Sequence, residues 1–376
     1  MRLLTEKNLK ALDEHSYTAT DDSFACWMLC PWWNFAFRFV PANTSPNSLT
    51  CIGLLGSVVC CALTAVYSPN LTGEAPNWVY LLTGFGIFWH QTFDALDGKQ
   101  CRRVGRYNGP IELIFDHGCD ALSSTLFFVA VSNGLQQGSN INLWLVTFYT
   151  GHLTFYSVQW RSMITGSVHF ARFDVTETQL VTILTMILTG VMGSKFWAYE
   201  IGIFSIYLRD VMSLSAIFVA FANLIENLKA IHKHSLSFRT VSTLIFGQVL
   251  FAISLAFTHE SIRNDGLLIS YGLFIGFFIA KQNNRILVAQ MVGNYEVSFR
   301  DNSAIPVIVF ACYAGIGTVY NTANFLNART MILICCAISG LDMTQHFCRI
   351  SSEIARHYDI GIFKIKPGER TFDKIK

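Results

Sequence analysis

Ten stretches of this chain are apolar for about twenty residues each, and that repetition limits the fold more than any other feature. They lie near 48–67, 78–97, 111–131, 142–160, 179–194, 210–228, 240–257, 266–288, 304–320 and 330–348. A helix of that length spans the hydrocarbon of a bilayer. Backbone N–H and C=O groups find no water there, so each stretch must satisfy them internally, as a helix does. The expected fold class is therefore an all-α integral membrane protein with about ten transmembrane helices. Charge usage agrees: 14% of the residues are charged, against about 25% in a typical soluble domain. Aromatic residues make up 14%, which suits lipid-facing walls and interfacial belts.

The ends read differently. TEKNLKALDEHSY, residues 5–17, is charged and helix-patterned, with no cleavable signal. SFACWMLCPWWNFAFRFVP, residues 23–41, is rich in Trp and Phe but is broken by Pro31, so a helix lying in the interface is expected. No fixed-period repeat, low-complexity segment or long linker divides the rest. The expected organisation is an N-terminal cytosolic and interfacial segment (1–47), one membrane domain (48–350) and a basic cytosolic tail (351–376). A net charge of +2 gives no reason to expect nucleic acid as a partner. The eleven Cys form no C-x-x-C pair and read as small buried apolar residues rather than zinc ligands.

Lys and Arg set the orientation. With ten spans, the side holding the N-terminus carries 23 of the 27 and the opposite side 4. That asymmetry predicts that the first side is cytosolic.

On that same side lie four acids. Asp94 and Asp97 are three apart at the end of the second span, so both face one side of a helix. Asp116 and Asp120 are four apart near the start of the third and do the same. Two such pairs facing each other make an oxygen-rich cage. Unneutralised carboxylates would repel one another, and a hard cation such as Mg²⁺ relieves that. Two such ions can clamp a transferring phosphoryl group. Gly98 leaves room beside the second acid, and Pro110 interrupts the segment between the two helices.

The stretch DALDGKQCRRVGRYNGPIELIFDHGCD, residues 94–120, resembles the signature of the CDP-alcohol phosphotransferases, D-x-x-D-G-x-x-A-R-x(8)-G-x-x-x-D-x-x-x-D. All four acids, Gly98 and Arg102 are present. Cys101 replaces the usual Ala. Glu112 stands where the second Gly belongs, and the linker from Arg102 carries one extra residue. The DHGCD form resembles the choline/ethanolamine phosphotransferase branch, as do NSLTCIGLL at 47–55 and FDVTETQ at 173–179.

The resemblance implies a reaction. A CDP-linked alcohol, CDP-choline or CDP-ethanolamine, donates to the hydroxyl of diacylglycerol or an ether-linked analogue, and CMP leaves. It implies two Mg²⁺ ions, with Mn²⁺ as a substitute, held by Asp94, Asp97 and Asp116, with Asp120 completing the second site. It places Arg102 on the donor diphosphate and Asn47 near the cytidine or phosphate, although Asn47 also fits a plain helix N-cap. Arg103 and Arg106 suit interfacial snorkelling. The acceptor hydroxyl needs a base, and the candidates are His117 and Asp120. A metal-bound carboxylate is a weak base, whereas a neutral imidazole suits the task. Relatives carry a Glu one turn before this His. Here that position is Leu113 and the nearest acid is Glu112, five back. Thr176 and Gln179 fit a capping box at the start of the fifth span, which is favoured over a direct role for Asp174 or Glu177. By the same resemblance the protein is a homodimer of the endoplasmic reticulum or Golgi membrane with its active site facing the cytosol.

Headgroup preference is not written in these motifs. Phe155, Tyr156 and Trp160 could cage a quaternary ammonium, but aromatics on a bilayer helix more often pack or line a belt. Other transferases with the motif, using inositol or glycerophosphate acceptors, are usually about half this length and lack the DHGCD and FDVTETQ strings. An ion-coupled transporter would show inverted repeats and acids spread near the midplane, and a non-catalytic scaffold would tolerate loss of some acids. Here the four acids cluster at one face.

Overall fold

Helices supply nearly all the regular structure in the computed structural model, which describes residues 3–14, 19–21, 23–107, 109–166, 168–170, 175–202, 205–233, 262, 266–293, 304–320 and 327–366. Two short helices come first, α1 (Glu6–Ala11) and α2 (Phe24–Phe37). Thr5 caps α1 by accepting from Asn8 N, and Ser23 caps α2 by accepting from Cys26 N. α2 leaves Phe24, Trp27, Phe35 and nearby Phe39 exposed, the character of an interfacial helix.

The long helices follow: α3 (Pro46–Tyr67), α4 (Asn77–Val104), α5 (Pro110–Gly134), α6 (Ile141–Thr165), α7 (Val175–Met192), α8 (Leu208–His232), α9 (Leu268–Met291), α10 (Ala304–Tyr320) and α11 (Ala328–Tyr358). Five of these contain windows long and apolar enough to cross a membrane, in α3, α5, α7, α8 and α11. α4, α6 and α9 are as long but carry polar and charged groups where they face other helices, including Asp97, Gln159 and Lys281. The expected span at 240–257 lies outside the described residues. The outer walls are apolar and bare: Phe218 is 75% exposed and Val191 69%, which only a lipid surround makes tolerable. The protein is an all-α integral membrane protein.

Two pairs of short strands trim the bundle. β1 (Ala19–Asp21) pairs in parallel with β2 (Val168–Phe170), and β3 (Glu200–Ile201) pairs antiparallel with β4 (Ile206–Tyr207).

α5 is the axis of the assembly. α3 and α4 pack on one side of it, and α9 packs on another together with α6 and α11. The main core lies at the second junction, around Trp144, Phe148, Tyr271, Phe274 and Phe310. Close approach there depends on Gly276, because a Cβ at that position would strike Thr125 of α5. Thr125 Oγ1 lies 2.9 Å from His152 Nε2, whose ring stacks on Phe148. A charged pair links two helices of the bundle, Lys281 of α9 donating to Asp342 of α11 at 2.6 Å.

The chain after α11 returns across the end of the bundle where α4 stops and α5 starts. Ser45 Oγ and Asn47 Nδ2 both donate to Ile362 O, at 2.8 and 2.9 Å, and Thr44 bridges Lys364.

Candidate metal centre

The α4–α5 turn brings the acids together. Gly105 ends α4 at φ 70°, and Gly109 and Pro110 start α5 at its cap and first position. The two helices therefore run antiparallel, with the last turns of α4 beside the first turns of α5. Asp94, Asp116 and Asp120 each offer an oxygen, and the three oxygens lie within 4.8 Å of one another. All three residues are half-buried. Such crowding of like charge at the edge of a low-dielectric bundle calls for a cation. The donors are all oxygen, as a hard divalent ion prefers.

Asp97 stands slightly apart. It is buried, and its Oδ2 accepts from Thr50 Oγ1 at 2.5 Å, so α3 fixes its direction. Asp120 is steadied from α4: His90 Nε2 lies 3.4 Å from its Oδ1 and 2.8 Å from Ser123 Oγ. His117 sits at the edge of the acids, its Nε2 3.9 Å from Asp116 Oδ2 and its Nδ1 2.8 Å from Gln159 Nε2 on α6.

The remaining sequence candidates divide. Arg102 is exposed at the end of α4, its guanidinium 4.6 Å over the Tyr107 ring and its Nη1 donating to Gly98 O at 3.3 Å. Gly98 is half-buried one residue beyond Asp97. Asn47, at the start of α3, is fully buried and spends its Nδ2 on Ile362 O. Glu112 pairs with Arg106 at 3.1 Å. Gly109 permits this, since a Cβ there would collide with Glu112 Oε2. Arg106 is 1% exposed, so it is a buried ion-pair partner rather than a snorkelling residue. Arg103 does reach the interface, over Phe37 and onto Val40 O and Pro41 O.

In the FDVTETQ string, α7 begins at Val175 with Thr176 already inside it, so the expected capping box does not form there. Glu177 caps the neighbouring helix instead, accepting from Ser23 Oγ at 2.6 Å and Ala25 N at 3.1 Å at the start of α2. Gln179 Oε1 accepts from Gln91 of α4 at 2.9 Å. Phe173 and Asp174 lie outside the described residues. Tyr156 and Trp160 are buried against Met163, Ile231 and Ile286, in a packing role.

Sequence reasoning missed Thr50, His90 and Gln159. His90 had a local signal, one helical turn before Asp94. Thr50 lies in the NSLTCIGLL string, but nothing there pointed to Asp97, and Gln159 had no signal, because their partners lie on other helices, 47 and 42 residues away.

No protein-family model matches this chain. It is 29% identical over 372 residues to cholinephosphotransferase 1 of Bos taurus, covering 96% of this chain and 89% of that protein. It is 28% identical, with the same coverage, to cholinephosphotransferase 1 of Homo sapiens. An uncharacterized CDP-alcohol phosphatidyltransferase class-I family protein of Dictyostelium discoideum is 33% identical over 200 residues, 53% of this chain and 50% of that protein.

Proposed function

We propose that the chain is a CDP-alcohol phosphotransferase that moves phosphocholine or phosphoethanolamine from the CDP-alcohol to a diacylglycerol-type lipid hydroxyl, releasing CMP. The observation that carries this reading is the convergence of Asp94, Asp116 and Asp120 at the mouth of a membrane bundle.

Two Mg²⁺ ions fit this oxygen-only donor set. Asp94, Asp97 and Asp116 would hold them, with Asp120 completing the second position. Bound there, they supply charge neutralisation for the diphosphate and the leaving CMP. Arg102 binds the donor diphosphate, for which its planar, permanently charged fork is suited. His117 takes the proton of the acceptor hydroxyl, since its ring reaches the edge of the acids without being one of them. Asn47 and Glu112 act on the donor indirectly. Asn47 anchors the returning C-terminal segment, and Glu112 with Arg106 braces the turn between the two acid-bearing helices.

The Lys and Arg asymmetry favours a cytosolic active site, where CDP-alcohols are available. The protein acts as a homodimer in the endoplasmic reticulum or Golgi membrane. Purified protein given CDP-choline and CDP-ethanolamine in turn, each with diacylglycerol and Mg²⁺, should release CMP with at least one of them. Turnover with neither, but with an inositol or glycerophosphate acceptor and CDP-diacylglycerol, would overturn the assignment.

A further inference from the structure

His117 sits between two helices. Its Nε2 faces the acids, 3.9 Å from Asp116 Oδ2, and its Nδ1 faces α6, 2.8 Å from the Gln159 carboxamide. Only Nε2 is placed to meet a hydroxyl entering the acid cage. A neutral imidazole carries one hydrogen, so a bare Nε2 requires the hydrogen on Nδ1. Whatever touches Nδ1 must then accept.

We propose that Gln159 is the positioning residue that sets the tautomer of His117, its Oε1 accepting Nδ1–H so that Nε2 is bare toward the acid cage. This rests on His117 being the base. A carboxamide suits the task because its oxygen and nitrogen ends have nearly the same shape and exchange by rotation. With the nitrogen end on Nδ1, Gln159 Oε1 is buried with no partner. Rotation places Oε1 on Nδ1–H and satisfies it, while the carboxamide nitrogen takes the position Oε1 held; the tautomer that leaves Nε2 bare selects this orientation. The side chain is 5% exposed, so no competing water is needed to fix the ring.

Elsewhere in the bundle, His152 solves the same problem with a backbone carbonyl. Its Nδ1 donates to Phe148 O at 2.9 Å, which leaves Nε2 to accept from Thr125. At His117 the position one turn back is Leu113, and Glu112 is bound to Arg106. A carboxamide from α6 fixes the tautomer without adding a fifth negative charge beside the four acids. In the reaction, the hydroxyl oxygen bonds to phosphorus as the bond to the CMP oxygen breaks. The hydroxyl proton moves to Nε2, and Nδ1–H stays on Oε1 throughout.

The test is a cycle of Gln159→Met, His117→Ala and the double variant, with Gln159→Glu as the conservative replacement. It uses whichever CDP-alcohol the full-length protein accepts, at varied Mg²⁺. Gln159→Met should lower kcat by about 10–100-fold, part of the general-base contribution, and shift KM and the half-saturating Mg²⁺ by less than about 2-fold. In the His117→Ala background the same change should cost almost nothing further, because the two residues act as one unit. Gln159→Glu still accepts Nδ1–H and should be several-fold more active than Gln159→Met, within about 5-fold of normal. It also separates loss of acceptance from loss of folding. A fully active Gln159→Met, an equal loss in both backgrounds, or a Gln159→Glu as impaired as Gln159→Met would overturn the assignment. An active His117→Ala would bring down the base reading and this inference together. An impaired His117→Ala beside a normal Gln159→Met would bring down Gln159 alone.

Discussion

The two faces of α5 are built on opposite principles. Toward α4 it presents Asp116 and Asp120 to Asp94, groups that repel one another. Toward α9 it presents Thr125 to Gly276, and Val129 near Gly272, a seam that gains only by fitting closely. Further apolar contact comes from Ile114, which lies in a cluster with Leu287 and Ile354. The seam holds the helix from behind, so the acids need not attract anything to stay in place. The same helix is thus stable on one face and reactive on the other, and changes to the two faces should separate cleanly in experiment.

The sharpest separation should come from the acids. Asp94→Asn, Asp97→Asn or Asp116→Asn keeps shape and removes one ligand charge. Loss of several kcal/mol of charge stabilisation corresponds to roughly 10³-fold in rate. Without added metal, thermal unfolding should be unchanged or occur at higher temperature, since like-charge repulsion is relieved. If all three variants kept most of their activity at saturating substrate, the two-ion reading would be wrong.

The next effect divides neighbours on the reactive face. His117→Ala should cost about 10²–10⁴-fold in rate with a near-normal Mg²⁺ requirement, the pattern of a lost base. Asp120→Asn should weaken metal binding, and extra Mg²⁺ should recover part of its activity. A nearly active His117→Ala, with Asp120→Asn dead at every Mg²⁺ level, would move the base to Asp120.

A smaller loss is expected one step behind the acids. Thr50 donates to Asp97 at 2.5 Å from α3. Thr50→Val keeps the shape and removes that bond. Partners of this kind orient metal ligands, and their loss typically costs about 10–100-fold in metal affinity. The variant should need more Mg²⁺ and reach near-normal kcat once supplied. A kcat that stays low at saturating Mg²⁺ would assign Thr50 to something other than steering Asp97.

How much of this was legible depends on distance along the chain. The spacing of Asp94 with Asp97, and of Asp116 with Asp120, is local, and helical periodicity alone puts each pair on one face. The apolar runs likewise announce the five described helices long and apolar enough to cross a membrane, α3, α5, α7, α8 and α11, while the run at 240–257 lies outside the described residues. Contacts between helices were not legible. Nothing near Asp97 indicates that Thr50 draws it aside from the other three acids. Nothing near Asn47 points to Ile362, 315 residues away. Glu112 looks available to His117 until the turn at Gly109 folds it onto Arg106. Thr176 and Gln179 satisfy local rules for a helix start, yet it is Glu177 between them that caps a helix, α2, more than 150 residues earlier.

The smallest catalytic effect should come from the seam. Gly276→Ala adds one methyl group, and it would meet the Thr125 side chain, with Cβ at 2.8 Å and Cγ2 closer still. Thr125 is β-branched within a helix and is held by His152 at 2.9 Å, so it cannot easily turn aside. The helices must part or the ring must shift, and overpacking of this kind costs about 1–3 kcal/mol. Ala improves helix propensity by up to about 1 kcal/mol, too little to offset the clash. The variant should therefore unfold at lower temperature in detergent. Its folded fraction should turn over within about 2-fold of normal and keep the same half-saturating Mg²⁺, because the acids face the other way. Unaltered stability with a large fall in kcat would break the separation, and would mean that the fit of α5 on α9 tunes the spacing of the acids directly.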